Sequence, residues 1–186
     1  MAILTREQIL EKAARGESLA GFDLSNADLS YAVLKGVNLA GADLREAHLQ
    51  NANLEGADLR QAKLDHAFLF GSNLRNARLD GAEGVDVNLQ DSNLEGVSAR
   101  GVRLPHVALL GSTLERADFT GADLRDARLK RAHLRYAKFD EADLRGAHLV
   151  RSDLSEASFR RADLSNAVLT NAILDGTDFT EAKGLS

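Results

Sequence analysis

The chain has 186 residues, of which 44% are apolar and 5% aromatic, and its formal net charge is −5 at pH 7. Cysteine and tryptophan are absent, which excludes disulfides and thiolate chemistry. The N-terminus lacks the basic start and apolar run of a secretory signal, and no apolar stretch approaches the roughly 18 residues of a membrane span. We therefore expect a soluble, cytoplasmic protein with one continuous core.

The first predicted element is a short helix. Thr5 is a good N-cap with Gln8 three residues later, and Gly16 can end the helix. The pattern predicts a helix over 6–15. We expect residues 1–19 to form a cap over the structure that follows.

From Phe22 onward the sequence has a period of five. Of the thirty-two positions spaced by five from 24 to 179, twenty-six are Leu and four are Phe, and only Gly84 and Ala99 depart. The positions two residues earlier are mostly Ala. Neither the 3.6-residue period of a helix nor the alternation of a long strand fits this pattern. The phase is never lost, so the repeat contains no inserted loop.

Each five-residue unit is interpreted as a very short strand and a corner. Ala and Leu point inward and the residues beside them point outward, as in a strand. Twelve of the fifteen glycines fall in the corner slot, together with five asparagines. Gly and Asn tolerate the positive φ angles that tight turns require.

A second period, of twenty residues, relates Phe119, Phe139, Phe159 and Phe179. Four units therefore form one coil, and residues twenty apart are neighbours about 4.8 Å apart in adjacent coils. We expect roughly eight coils with Leu, Phe and Ala inside, and the phenylalanine rings stacked in the interior.

The units ADLSY at 27–31, ADLRE at 42–46 and ADLRQ at 57–61 resemble the A(D/N)LXX consensus of the pentapeptide-repeat family. The resemblance covers about residues 20–184. It implies an all-β solenoid, a right-handed quadrilateral β-helix, preceded here by the short capping helix.

Residues 83–110 depart from the consensus. Gly84 and Ala99 replace the central Leu, and Val replaces Ala at several positions. Pro105 cannot donate a hydrogen bond to a neighbouring coil. We expect a bent or irregular coil here.

Catalytic and metal chemistry find little support in the sequence. His66 and His106 share a column but lie two coils apart, roughly 10 Å, which is too far to bind one metal directly. Stacked acids such as Asp123 and Asp143 are flanked by Arg on the same side. We expect a protein that is not an enzyme and has no cofactor or metal site.

The four sides of the coil differ in charge. The first side, centred on Leu24, Leu44 and Leu64, carries ten acids and six bases, a net of −4. The second side, centred on Leu29, Leu49 and Leu69, carries two acids and four bases, a net of +2. Exposed apolar residues on the second side favour a contact surface. The candidate partner-binding residues are Phe68, Phe70, Leu110, Arg128, Lys130, Arg131, Val150 and Arg151.

The C-terminal coil has few residues left to cover it. After Phe179 only seven residues remain, too few for a second capping helix, and an uncovered edge of a repeat array favours association. We expect end-to-end homodimers that bury Phe179 and Leu185.

Two functions remain. The first is a non-enzymatic scaffold that binds a protein partner through the second side. The second follows from the resemblance, which implies that some members mimic duplex DNA, bind DNA gyrase and protect it from quinolones; the acidic first side could act so. Against mimicry, residues 100–138 hold nine bases and four acids. We favour the scaffold and expect no direct nucleic-acid binding and no membrane contact.

Overall fold

The computed structural model describes residues 4–185, which form one helix followed by a long coil. Helix α1 spans Arg6–Ala14, one residue shorter than predicted, with Arg15 as its C-cap. The predicted capping box is present: the Gln8 N–H donates to Thr5 Oγ1 at 3.3 Å and the Thr5 N–H donates to Gln8 Oε1 at 2.9 Å.

The coil is built from isolated β-bridges, one per five-residue unit. All are parallel and join residues twenty apart, from Asp23↔Asp43 at the start to Asp163↔Lys183 at the end. Four units therefore make one turn, as the sequence predicts. The right-handed sense of the coil stays a prediction.

The units between the two ends of the coil make the same set of backbone hydrogen bonds, except that the Val87 N–H does not donate to the Gly84 carbonyl. Leu24 donates to the Asp43 carbonyl at 2.8 Å, and Asp43 donates back to the Phe22 carbonyl at 2.9 Å. Ala27 closes a tight turn by donating to the Leu24 carbonyl at 3.1 Å. Only the residue just after the central Leu keeps its N–H out of this backbone network.

The corner slot has a positive φ in every unit, whichever residue occupies it. The φ angle is 70° at Gly21 and 57° at Asn26, but also 57° at Tyr31 and 59° at Arg131. The corner prediction is confirmed, and it extends to residues that rarely adopt this conformation. The hydrogen bonds on both sides of the corner hold such residues in place.

The Leu and Ala columns are buried along the coil, and polar replacements inside it are satisfied. Ser92 and Ser112 each donate a hydrogen bond of 2.7 Å to an interior Leu carbonyl. The Phe139 ring stacks between those of Phe119 and Phe159, with centroids 5.4 and 4.9 Å away. The predicted interior stack is confirmed.

The structure limits the predicted irregularity to the five-residue unit centred on Gly84. Parallel bridges and coil-to-coil hydrogen bonds continue through 83–110. A Cβ on Gly84 would lie 2.7 Å from the Leu64 carbonyl carbon and 2.9 Å from Val87 Cγ2, so the backbone and Val87 occupy the place of the missing side chain. Pro105 is accommodated because it occupies the slot whose N–H the backbone network does not use.

Helix α1 covers the first coil. Its Ile9 is buried in the core. The Arg6 guanidinium donates to the backbone carbonyls of Asp28 and Ser30. In later coils the equivalent carbonyls accept N–H groups from the coil before, so Arg6 replaces two donors that the first coil lacks.

Candidate protein interaction surface

The second side presents three outward positions in each coil. The bridging residues Phe68, Asn88, Ala108, Arg128 and His148 form one continuous column. A second column runs through Phe70, Leu110, Lys130 and Val150, and the corners Arg131 and Arg151 form its edge. All eight residues predicted to bind a partner therefore lie on this side, as the period of twenty requires.

The aromatic cluster, formed by Tyr31, His48, Phe68 and Phe70, occupies the N-terminal part of this side. The exposed fractions of Phe68 and Phe70 are 37% and 42%, and that of Tyr31 is 74%. The His48 ring stacks on Phe68 with centroids 5.0 Å apart. A groove of about 530 Å³ lies between Tyr31 and Phe70. Sequence reasoning missed Tyr31 and His48, although His48 lies twenty residues before Phe68.

The basic cluster, formed by Arg128, Lys130, Arg131 and Arg151, occupies the C-terminal part of the same side. All four side chains are exposed. Within residues 4–185, the three arginines of the cluster have no carboxylate within 4.0 Å, whereas every other arginine has one. The cluster is therefore a set of cations that the chain itself does not neutralise.

Arginines on the first side show the contrasting arrangement. Arg125 and Arg145 each donate two hydrogen bonds to the Asp two residues earlier, at 2.7 and 2.8 Å. The hydrogen bonds from Arg145 lower the pKa of the Asp143 carboxyl, and Arg125 does the same for Asp123. The pair arises because residues two apart in a unit point to the same side. The missing Asp before Lys130 was the sequence signal for the unpaired bases.

Apolar side chains separate the bases. Leu110 and Val150 are half-buried on either side of Lys130, and Val168 is 36% exposed at the end of the side. Asn88 and Gln90 separate the two clusters. The predicted residues thus form an aromatic contact area and a mixed basic and apolar one, separated by one coil.

Two histidines lie near a carboxylate that the sequence analysis did not identify as their neighbour. Asp86 lies between His66 and His106, with its carboxylate 3.8 and 3.4 Å from their Nδ1 atoms. His66, Asp86 and His106 share one corner column, in which only the histidines were noticed. Within residues 4–185 no group of three or more His, Cys, Asp or Glu side chains is placed to hold a metal ion.

The C-terminal end leaves interior residues open. Phe179 stacks on Phe159 at 5.4 Å but is only half-buried, and Leu174 and Leu185 are 43% and 46% exposed. Among the described residues, the N–H groups of Leu174 and Phe179 have no acceptor, whereas Phe159 donates to the last coil. Both residues predicted for a dimer interface lie at this open end.

The repeats decide the family. The sequence model of pentapeptide repeats matches the chain in eight copies, over residues 23–61, 52–83, 67–104, 85–121, 112–149 and 147–183. The chain belongs to the pentapeptide repeat family. Its membership rests on nearly the whole coil, and no curated protein sequence matches the chain.

Several solved pentapeptide repeat structures are similar. HetL, involved in heterocyst differentiation regulation in the cyanobacterium Nostoc, is 29% identical, with 97% of this chain and 98% of HetL covered and a TM-score of 0.37. Full-length QnrB1, a plasmid-mediated fluoroquinolone resistance protein, is 20% identical, with 80% and 89% covered and a TM-score of 0.46. A protein of the Arabidopsis thaliana thylakoid lumen is 24% identical, with 72% and 69% covered and a TM-score of 0.23.

The part of the chain that the structure describes contains no helix that could cross a membrane, since α1 is short and polar on most of its surface. Cytoplasmic location stays a prediction from the sequence.

Proposed function

We propose that this pentapeptide repeat protein is a non-enzymatic scaffold that binds a protein partner through its second side. The observation that carries the proposal is the co-location of exposed aromatic rings and unneutralised bases on one face of a regular coil. Exposed apolar area bordered by polar groups is typical of protein contact surfaces. The backbone hydrogen bonds of every coil hold that face in one geometry before the partner arrives, which lowers the entropic cost of binding.

DNA mimicry is the weaker alternative. A mimic of phosphates needs acids whose charge is free to meet a basic groove. On the first side Asp43, Asp123 and Asp143 are each paired with an Arg at 2.5–2.7 Å. These pairs neutralise three of the ten acids on the side that would imitate DNA and reduce the charge that it could offer.

We also propose that two copies associate through their C-terminal ends. The open end combines exposed Leu174 and Leu185 with backbone N–H groups of the last coil that have no acceptor among the described residues. An uncovered edge with apolar residues favours pairing with an identical edge. The rod-like dimer would present two second sides.

The scaffold proposal predicts that an aromatic-cluster variant loses its partner. Affinity capture from a lysate of the source cells compares the wild type with Phe68→Ser/Phe70→Ser, and we expect a protein captured by the wild type to be depleted at least about tenfold, as for loss of aromatic hot spots. Tyr136→Ser removes an exposed ring on a different side, 45% exposed, and is the matched control. An identical set of captured proteins for all three would remove the aromatic cluster from the interface.

A further inference from the structure

The exposed positive charge of the basic cluster indicates that its ligand is negatively charged. Arg131 and Arg151 are successive corners of one edge, with φ angles of 59° and 58°, so their side chains leave the coil in parallel about 4.8 Å apart at the backbone. Like charges stacked in this way are unfavourable unless something neutralises them. The chain does so for its other arginines but not here.

The surroundings of the cluster contain no acid that could rotate into place on the same side. The two acids of the second side are Asp28 and Asp91. Asp28 accepts hydrogen bonds from Arg6 and Ser30. Asp91 accepts a hydrogen bond from the neighbouring Gln90 and lies two coils before Arg131. The second side itself therefore supplies no carboxylate to the cluster, which remains open to a negatively charged ligand.

We infer that the basic cluster binds an acidic polypeptide segment of the partner; this inference rests on the proposed scaffold function and names the chemistry of its partner. Charge complementarity selects Glu and Asp. The half-buried Leu110 and Val150, which flank Lys130, provide contacts for apolar side chains between the acids. The surface from Leu110 to Thr170 spans three coil intervals, roughly 14 Å, which matches about four or five residues of extended chain.

A nucleic acid fits the same surface less well. Four bases on one side are few for a duplex, whose affinity comes from many phosphate contacts. The adjoining first side has a net charge of −4. It would repel a duplex wide enough to extend beyond the second side. Leu110, Val150 and Val168 interrupt the bases with surface that a phosphodiester backbone cannot use.

The test measures binding of a fluorescein-labelled acidic peptide, ELEELEE, to the full chain by fluorescence anisotropy. The variant Arg128→Gln/Arg131→Gln removes two unpaired bases, and Arg45→Gln/Arg125→Gln removes two paired arginines from the first side with the same loss of charge. We expect roughly tenfold weaker binding for the first variant and less than about twofold for the second. Binding of the wild type should weaken as salt rises. Circular dichroism melts check that both variants fold.

Two probes give the opposing outcomes. Binding of the peptide KLKKLKK should not be weakened by Arg128→Gln/Arg131→Gln, because the first side has a net charge of −4 and attracts it independently of the basic cluster. A 20-base-pair duplex should bind more weakly than ELEELEE. Tighter binding of the duplex, or equal losses in the two variants, would overturn the inference in favour of a nucleic acid or of net charge alone. If ELEELEE fails to bind while capture of a partner still depends on Phe68 and Phe70, the inference falls and the scaffold function stands.

Discussion

At the scale of the residue, the Asp or Asn that precedes the central Leu or Phe in about half of the units has a structural role. The slot after the central Leu has an N–H that the backbone network leaves free, and the Asp or Asn two residues earlier accepts it; Asp28 Oδ1 accepts the Ser30 N–H at 3.1 Å. Ser98 and Ser158 occupy this position in two units, and there an Asp from the preceding coil accepts the N–H instead. The backbone N–H of Arg100 donates to Asp80 Oδ1 at 3.2 Å. Because an unpaired amide is costly, a short side chain with an acceptor oxygen stabilises a unit at this position, although units such as those of Phe68 and Arg128 lack one.

The same carboxylates make stability depend on pH. Asp143 has its pKa lowered from the ordinary value of 3.8, first by the Arg145 side chain, and Thr180 and Arg160 lower that of Asp178 to about 2. A lowered folded-state pKa adds stability above the unfolded value, which is lost as pH falls through the folded value. We expect the urea midpoint of the wild type to fall as pH drops from about 4 toward 2.

Asp143→Asn isolates the charge in this effect, because the amide oxygen can still accept the Arg145 N–H. At pH 7 we expect a loss of about 0.5 kcal/mol, in the range of partly exposed ion pairs. The difference from the wild type should shrink as the pH falls below the unfolded value of 3.8 and vanish once the lowered pKa of the wild-type carboxyl is passed. A variant with Arg145→Gln should show the same convergence, and a gap that persisted in acid would contradict an ionic origin.

At the scale of the element, the five-residue unit centred on Gly84 differs from the rest. The other units centred on residues 24–179 have a Leu, Phe or Ala side chain at the central position. Gly84 has none, and the Leu64 carbonyl carbon lies 2.7 Å from where its Cβ would stand. Val87 is buried beside it, and its Cγ2 would be 2.9 Å from that Cβ. Gly84 and Val87 therefore act as a pair in which a larger side chain at one position compensates for its absence at the other.

This pairing predicts that Gly84→Ala is destabilising although alanine is smaller than the Leu of other units. The expected loss is about 1–3 kcal/mol, typical of overpacking, measured by urea unfolding. The double variant Gly84→Ala/Val87→Ala, which restores the Ala found in other units, should recover part of that loss. Gly84→Ala with unchanged stability would show that the corner relaxes freely.

At the scale of the whole molecule, the two ends of the coil are treated differently. Helix α1 covers the first coil and Arg6 supplies donors to its carbonyls, while the last coil leaves Leu174 43% exposed. The second side runs between these ends. Any dimer formed at the C-terminal end would double the contact surface without covering either cluster.

Light scattering tests that assembly. At tens of micromolar we expect twice the mass of the 20.1 kDa chain, and the variant Leu174→Lys/Leu185→Lys should return it to the monomer because charge opposes apolar contact. Val33→Lys/Val85→Lys, at exposed positions away from the end, is the control and should leave the dimer intact. A wild type that is monomeric throughout would exclude the end-to-end dimer.

Much of the coil could be predicted from the sequence. A strict period of five fixes which side chains point inward, and Phe119 to Phe179 fix four units per coil, because residues that stack must recur at the length of one turn. Gly and Asn marked the corners. The eight candidate contact residues fell on one side for the same reason, since outward direction follows from position in the unit.

Only the tertiary structure showed which charged side chains have no partner within the chain, and where the coil accommodates departures from the repeat. The sequence counts acids and bases on a side, but pairing depends on side-chain reach, so the unpaired state of Arg128, Arg131 and Arg151 needed distances. The sequence also overestimated the effect of Pro105, because the harm done by proline depends on whether its N–H is needed. Inward and outward direction is a property of local backbone geometry that periodicity reveals. Neutralisation depends on how far side chains reach within a unit and between coils, and fit depends on neighbours twenty residues away.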